Sequence, residues 1–163
     1  DESAPVAGRR PLRNAADLAW GGLRGEVRIF RLPGIYGPGR SALERVREGK
    51  AHRVDLPAQI FSRIHVEDIA GAIIASFASD ATGAFNIADD MPCSQNAVIE
   101  GAAALLGIAP PPLIAPDDPA LGPMARAFYA ENRRVANGRA KRLLGWQPRY
   151  PTWREGLAAL PLS

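Results

Sequence analysis

The sequence predicts a mixed α/β chain, and three observations carry that expectation. Several stretches space their apolar residues three and four apart, as helices do, most clearly residues 66–77. Only a few short runs read as strands, best of all Val27, Ile29, Phe30 and Leu32, which are β-branched, aromatic or aliphatic. Those runs are separated by helical segments, so the strands alternate with helices but are too few for a complete doubly wound sheet.

Each element follows from its residues. In 8–23, Leu12, Ala15, Ala16, Ala19, Trp20 and Leu23 form one helical face, Arg9, Arg13 and Asp17 lie on the other, and Gly21-Gly22 close it. A strand at 26–32 ends at Pro33, which cannot donate to a ladder, and Gly34, which tolerates positive φ, so the chain is re-aimed there. Ser41 is placed to cap a short helix with Leu43 and Val46 inward and Gly49 at its end. Residues 52–61 contain Pro57 and read as two short extended pieces around a turn. In 66–77, Val66, Ile69, Ile73 and Phe77 make one face, widened by Ala70 and Ile74, which predicts a core helix.

A strand over 84–88 is halted by Asp89-Asp90-Met91-Pro92. Ser94 or Gln95 opens a helix through Leu106 with Gly107 beyond it, and Pro110-Pro111-Pro112 holds the chain extended. A short helix over 119–129, an extended piece at 133–135, a helix from Asn137 to Leu144 before Gly145, and a terminal helix over 153–160 complete the chain.

Composition bounds the function. At 163 residues, 47% hydrophobic and 23% charged, this is the make-up of one soluble domain. The net charge of +3 rests almost wholly on arginine, and no basic run interleaved with aromatics marks a nucleic-acid groove. Cys93 is the only cysteine, which rules out an internal disulfide or thiolate metal cluster and fits a reducing cytoplasm. No run approaches the roughly 18 apolar residues of a membrane span. The opening, polar and without Met, is that of a fragment.

Four motifs in order then resemble a known family. They are Arg31-Leu32-Pro33-Gly34-Ile35-Tyr36-Gly37-Pro38-Gly39, Phe61-Ser62-Arg63-Ile64-His65-Val66-Glu67-Asp68-Ile69-Ala70, Phe85-Asn86-Ile87-Ala88-Asp89, and Leu143-Leu144-Gly145-Trp146-Gln147-Pro148 followed by Arg154-Glu155-Gly156-Leu157. Together they resemble the C-terminal half of the NAD-dependent epimerase/dehydratase family, the extended short-chain dehydrogenase/reductases. The resemblance implies an α/β fold: the C-terminal part of an NAD(P)-binding Rossmann fold with a smaller α/β substrate-binding domain. On that reading 1–40 and about 64–90 are the last Rossmann elements, and about 41–63 and 91–163 lie on the substrate side. It also implies NAD or NADP as cofactor, hydride transfer on a small hydroxylated or nucleotide-sugar-like substrate, no nucleic-acid or membrane partner, and a homodimer paired through the helix around Asp17.

The resemblance assigns residues as well. Leu32, Pro33 and Gly34 would meet the nicotinamide carboxamide, or else simply stop the strand. Tyr36 would line the substrate cleft or pack over its loop. Arg40 either clamps an anionic group or flanks the Ser41 helix. Arg63 and His65 alternate with apolar residues before a helix. The Arg63 fork suits a phosphate or carboxylate, and His65 with Asp68 suits a helix start or, as the sharper alternative, the site. Asp89-Asp90 reads as a turn rather than a metal pair, and no metal is expected. Arg133, Arg134, Arg139, Lys141 and Arg142 form a basic cluster, either a solvated helix face or a phosphate rim.

Two family features are missing. No Gly-x-x-Gly-x-x-Gly turn follows a strand, and counting back from Asp17 puts the family's catalytic Tyr and Lys at Arg9 and Arg13. An arginine stays protonated at working pH and is a poor proton carrier. The alternative to an enzyme is therefore a non-catalytic dinucleotide-binding sensor or scaffold of the same fold.

Overall fold

The computed structural model describes residues 1–5, 11–23 and 26–162. Helix α1 (Pro11–Gly21) precedes strand β1 (Arg28–Arg31), β2 (Gly34–Tyr36), α2 (Ala42–Arg47), β3 (Arg53–Val54) and β4 (Arg63–His65). Then follow α3 (Val66–Phe77), β5 (Gly83–Asn86), α4 (Gln95–Leu105), β6 (Leu113–Ile114), α5 (Pro123–Tyr129), α6 (Gly138–Leu144) and α7 (Trp153–Ala158).

Every strand pairs in parallel with one that lies far along the chain. Phe30 of β1 is opposite Phe85 of β5, Ile35 of β2 is opposite Ile64 of β4, and Val54 of β3 is opposite Ile114 of β6. Parallel strands need crossovers to bring them together, and here α3 and its neighbours supply them. Among the described residues the far edge of β1 has no partner strand.

Local chemistry explains the helix boundaries. Ser41 and Thr152 each begin a capping box with the glutamate three residues on, which fixes α2 and α7 at their N-termini. Ser94 caps α4 through its hydroxyl to Ala97 N, and Gly145 closes α6 in the left-handed conformation at φ 63°.

Two apolar clusters form the core. In one, Leu43 and Val46 of α2, Ile99 and Ala102 of α4, and Trp153 and Leu157 of α7 pack with Tyr36. Gly101 makes this closeness achievable: a Cβ there would come within 2.7 Å of the Trp153 ring. In the other, Ile64, Phe85 and Ile87 are covered by Ala72 of α3, by Ala140 and Leu144 of α6, and by Trp146.

Helix α3 departs from expectation. Its buried residues are Asp68, Ala72 and Ser76, four apart, whereas Val66 and Ile73 are exposed, Ile74 is 69% exposed and Phe77 82% exposed. The face against the core carries small residues because Trp146 and α6 lie tight on it; Trp146 Nε1 is 3.6 Å from where a Cβ on Gly71 would be. The bulky face points outward, as do Leu12, Leu18, Trp20 and Leu23 of the α1 region. Among the described residues no helix is long and apolar enough to cross a membrane.

Candidate functional site

The stretch after β1 is more ordered than a re-aiming loop. Gly34 N donates to Ser62 O, and the chain enters β2 at once, in a register that sets Gly34 beside Arg63 and Tyr36 beside His65. Four of the residues singled out from sequence, Gly34, Tyr36, Arg63 and His65, are thereby brought side by side. Leu32 and Gly34 are exposed and Pro33 is half-buried at the carboxyl end of β1. Arg40 lies at the surface, where its backbone exchanges hydrogen bonds with Gly37 across a turn that Gly39 closes at φ 71°.

Tyr36 is buried rather than open to a cleft. Its ring meets His65 edge-on, with centroids 5.2 Å apart, and its hydroxyl, packed against Gly156 of α7, has no hydrogen-bond partner. Burial, with Asp89 nearby, pushes the phenol pKa up. Arg63 is also buried and already saturated. Its guanidinium donates to Phe61 O (3.1 Å), Cys93 O (3.2 Å), Cys93 Sγ (3.2 Å), Ser94 O (3.5 Å) and Gln95 Oε1 (2.8 Å), tying β4 to the start of α4. Desolvation lowers its pKa, and nearby Cys93 and Asp89 oppose that.

His65 caps α3: Nδ1 accepts from Glu67 N at 3.2 Å, which leaves the ring proton on Nε2, buried and unpartnered. The ring is held between Tyr36 and Tyr150, and burial lowers its pKa, so it is neutral at pH 7. Asp68, one turn on, accepts from Arg149 N (2.5 Å) and Tyr150 N (3.3 Å) and clamps the segment before α7 to α3.

Sequence reasoning passed over Asp89, three residues beyond β5. Its amide donates to Arg63 O at 2.8 Å, and Oδ1 accepts from Met91 N at 3.3 Å, as a turn requires. Yet the residue is only 2% exposed, Oδ2 has no partner, and burial raises the carboxyl pKa to about 7. The available signal was the apolar Ile87-Ala88 immediately before it, which marks a strand end running into the interior. Asp89 lines an open cleft of about 380 Å³ with Asp1, Asp90, Pro92, Arg134, Val135, Ala136 and Asn137. The cleft lies beyond the carboxyl end of β5, where open α/β sheets place ligands.

The basic cluster dissolves into separate contacts. Arg139 donates to Ala84 O and Thr82 O and lies over the Phe85 ring, Lys141 pairs with Asp90, and Arg133 pairs with Glu131. Arg134 alone of the five reaches the cleft. On α1, Asp17 holds Arg31 through two bonds of 2.7 and 2.9 Å, and Arg13 is exposed. Arg9 lies outside the described residues.

No family model matches the sequence. A curated relative, 3-diazoavenalumate denitrifying reductase of a Streptomyces species, is 35% identical over 140 residues, which is 79% of this chain and 45% of the relative. A functionally unknown conserved protein from Silicibacter pomeroyi superposes with a TM-score of 0.85 at 44% identity over 96% of this chain and 56% of its own. The dTDP-glucose 4,6-dehydratase of Bacillus anthracis, in complex with NAD, superposes with a TM-score of 0.72 at 19% identity over 96% of this chain and 52% of its own. By fold the chain is similar to NAD-dependent epimerases and dehydratases. It spans about half the length of these relatives. The mixed α/β arrangement with parallel strands matches the Rossmann-like fold of these neighbours, and the cleft at Asp89 and the exposed stretch at Leu32 both lie beyond strand carboxyl ends.

Proposed function

We propose that this chain is the substrate-side half of an NAD(P)-dependent oxidoreductase that moves a hydride between NAD or NADP and a small organic substrate, working as a reductase. The observation that carries the reading is the cleft beyond β5, in a fold shared with an NAD-bound dehydratase and in a sequence 35% identical to a reductase.

The residues at the end of β1 fit a nicotinamide. Leu32 is exposed and uncharged, Pro33 has no amide hydrogen, and Gly34 has no side chain, so a flat ring can lie against the backbone. Because Gly34 N is committed to Ser62 O, the carboxamide would be met by the carbonyls of Leu32 and Pro33. The cofactor, when bound, supplies or accepts the hydride. The chain itself contributes a fixed floor. Arg63, Tyr36 and His65 lock β2 to β4 and α4, and the Asp89 loop walls the substrate side.

A second reading, a dinucleotide-binding sensor that does not turn over substrate, draws support from Arg13. The position resembling the family's lysine holds an exposed arginine, and the partner tyrosine position is Arg9. The full-length protein decides between them when mixed with NADH or NADPH and a panel of sugar nucleotides, aryl carbonyls and diazo compounds. Loss of reduced-nicotinamide absorbance on any of them supports the reductase. Tight cofactor binding with no turnover across the panel supports the sensor, and no cofactor binding removes both.

A further inference from the structure

The cleft at Asp89 has an electrostatic arrangement that hydride transfer does not by itself require. Arg134 lines it with an exposed guanidinium that has no ion-pair partner among the described residues. Asp90, also in the lining, is already neutralised, with Lys141 Nζ at 2.6 and 2.7 Å and Asn137 Nδ2 at 2.7 Å. The Asp1 carboxylate accepts from Ser3 N at 3.0 Å and Ser3 Oγ at 2.6 Å. That leaves Asp89 as the cleft's variable charge, buried at 2% exposure with Oδ2 unpartnered. The groups acting on it are Arg63 of β4, Tyr36 of β2, Asp68 of α3, and Asp90 and Cys93 of the loop that follows, while Asp1 and Arg134 share the cleft lining with it.

We propose that this cleft is an oxyanion subsite, in which Arg134 grips a carboxylate or sulfate-like group of a small molecule and Asp89 decides admission, accepting the anion when its carboxyl is neutral and repelling it when ionised. The proposal rests on reading the cleft as the substrate pocket and adds its ligand class and its pH control. A planar guanidinium binds two oxygens of such a group at once. A volume of about 380 Å³ falls in the range of small-molecule pockets. Asp89 acts through space, so its buried Oδ2 need not touch the ligand. Burial holds the carboxyl proton up to about pH 7, so the neutral fraction falls about tenfold between pH 6 and pH 8.

The test is calorimetric binding of three probes to the full-length protein at pH 6 and pH 8: cinnamate, phenyl sulfate and neutral cinnamyl alcohol. Neither oxyanion titrates in that window, and whichever binds tighter identifies the group as planar carboxylate or tetrahedral oxyanion. At least one oxyanion is expected to bind about tenfold tighter at pH 6, while the alcohol shows no pH dependence. Asp89→Asn should hold the pH 6 affinity at both pH values, Arg134→Gln should lose oxyanion affinity at both, and Lys141→Met, which bares Asp90, should weaken it at both. A pH slope that survives Asp89→Asn, an Arg134→Gln variant with unchanged affinity, or an alcohol bound as tightly as the oxyanions overturns the proposal.

Should Asp89→Asn fail to fold, the Asp89 carboxyl carbon resonance of the unaltered protein carries the same test. It is expected to titrate near neutrality and to shift to higher pH when the preferred oxyanion is bound, because linkage is reciprocal. A resonance that the ligand does not move overturns the proposal. NADH and NADPH binding, measured separately, keeps the two readings apart: lost cofactor binding with intact oxyanion binding sinks the oxidoreductase alone.

Discussion

Replacing Asp89 by Asn should change stability with a sign that depends on pH. Asp89 holds its proton to about pH 7 in the folded chain, against an ordinary value of 3.8. A carboxyl that is harder to ionise when folded favours the folded state in acid. Its contribution falls as pH climbs from about 4 to about 7 and is flat above that. The gap between the two values corresponds to about 4 kcal/mol of destabilisation by the ionised form at pH 8. Asparagine removes that charge but buries an amide N–H beside an unpartnered position, at a cost of about 1–3 kcal/mol, while its oxygen can still accept from Met91 N. The net expectation is a variant more stable than the parent by about 1–3 kcal/mol at pH 8 and equal or less stable at pH 4. Urea titrations of both proteins at pH 4, 6 and 8 measure the difference. A pH-independent difference would refute the argument, because it would mean that Asp89 ionises alike in the folded and unfolded chains.

Gly156→Ala should cost at least about 1–3 kcal/mol, since a Cβ there would fall on the Tyr36 hydroxyl and 2.8 Å from Cζ; a melting temperature equal to the parent's would show that the phenol is free to move. Arg63→Ala should lower the free energy of unfolding by about 3 kcal/mol, because it strips donors from the carbonyls of Phe61, Cys93 and Ser94; unchanged stability with weakened substrate binding would return Arg63 to the substrate. The 163-residue chain on its own should bind a hydrophobic dye through Leu12, Leu18, Trp20, Ile74 and Phe77, and Leu18→Ser with Phe77→Ser should lower the signal. No dye binding by the parent chain would contradict the exposed face.

The helices were legible because their signals are local. Ser41, Ser94, Gly107 and Gly145 mark ends within one turn, and each of the seven helices described overlaps a segment that the periodicity picks out. Strand β2 was not, because Gly34-Ile35-Tyr36 lies among glycines and prolines and becomes a strand only by pairing with Arg63-Ile64-His65, some thirty residues on. Strand β6 hides for the same reason behind three prolines. Periodicity identified the apolar residues of α3 but not which face the core would take. That choice was made by Trp146, which demands small residues opposite it.

The candidate site divides in the same way. Tyr36, Arg63 and His65 were singled out together and do meet, but the depth at which they lie comes from α4 and α7 closing over them. Arg134 carries no local mark and Asp89 only the apolar Ile87-Ala88 before it, since an aspartate in a turn and an arginine in a basic run look the same whether solvated or facing a cleft.

The parallel pairing also sets a timetable for synthesis. Arg28 of β1 waits for Gly83 of β5, 55 residues later by their numbers, and Arg53 of β3 waits 60 residues for Leu113. At about 5–20 residues per second a ribosome leaves β1 without its β5 partner for about 3–11 seconds. During that interval Ile29 and Phe30 hang from the growing chain next to the apolar side of α1. The ion pair from Asp17 to Arg31 spans only fourteen residues, so it can form long before β5 exists. It would fold α1 back over β1 and shield the strand until its partner has been made.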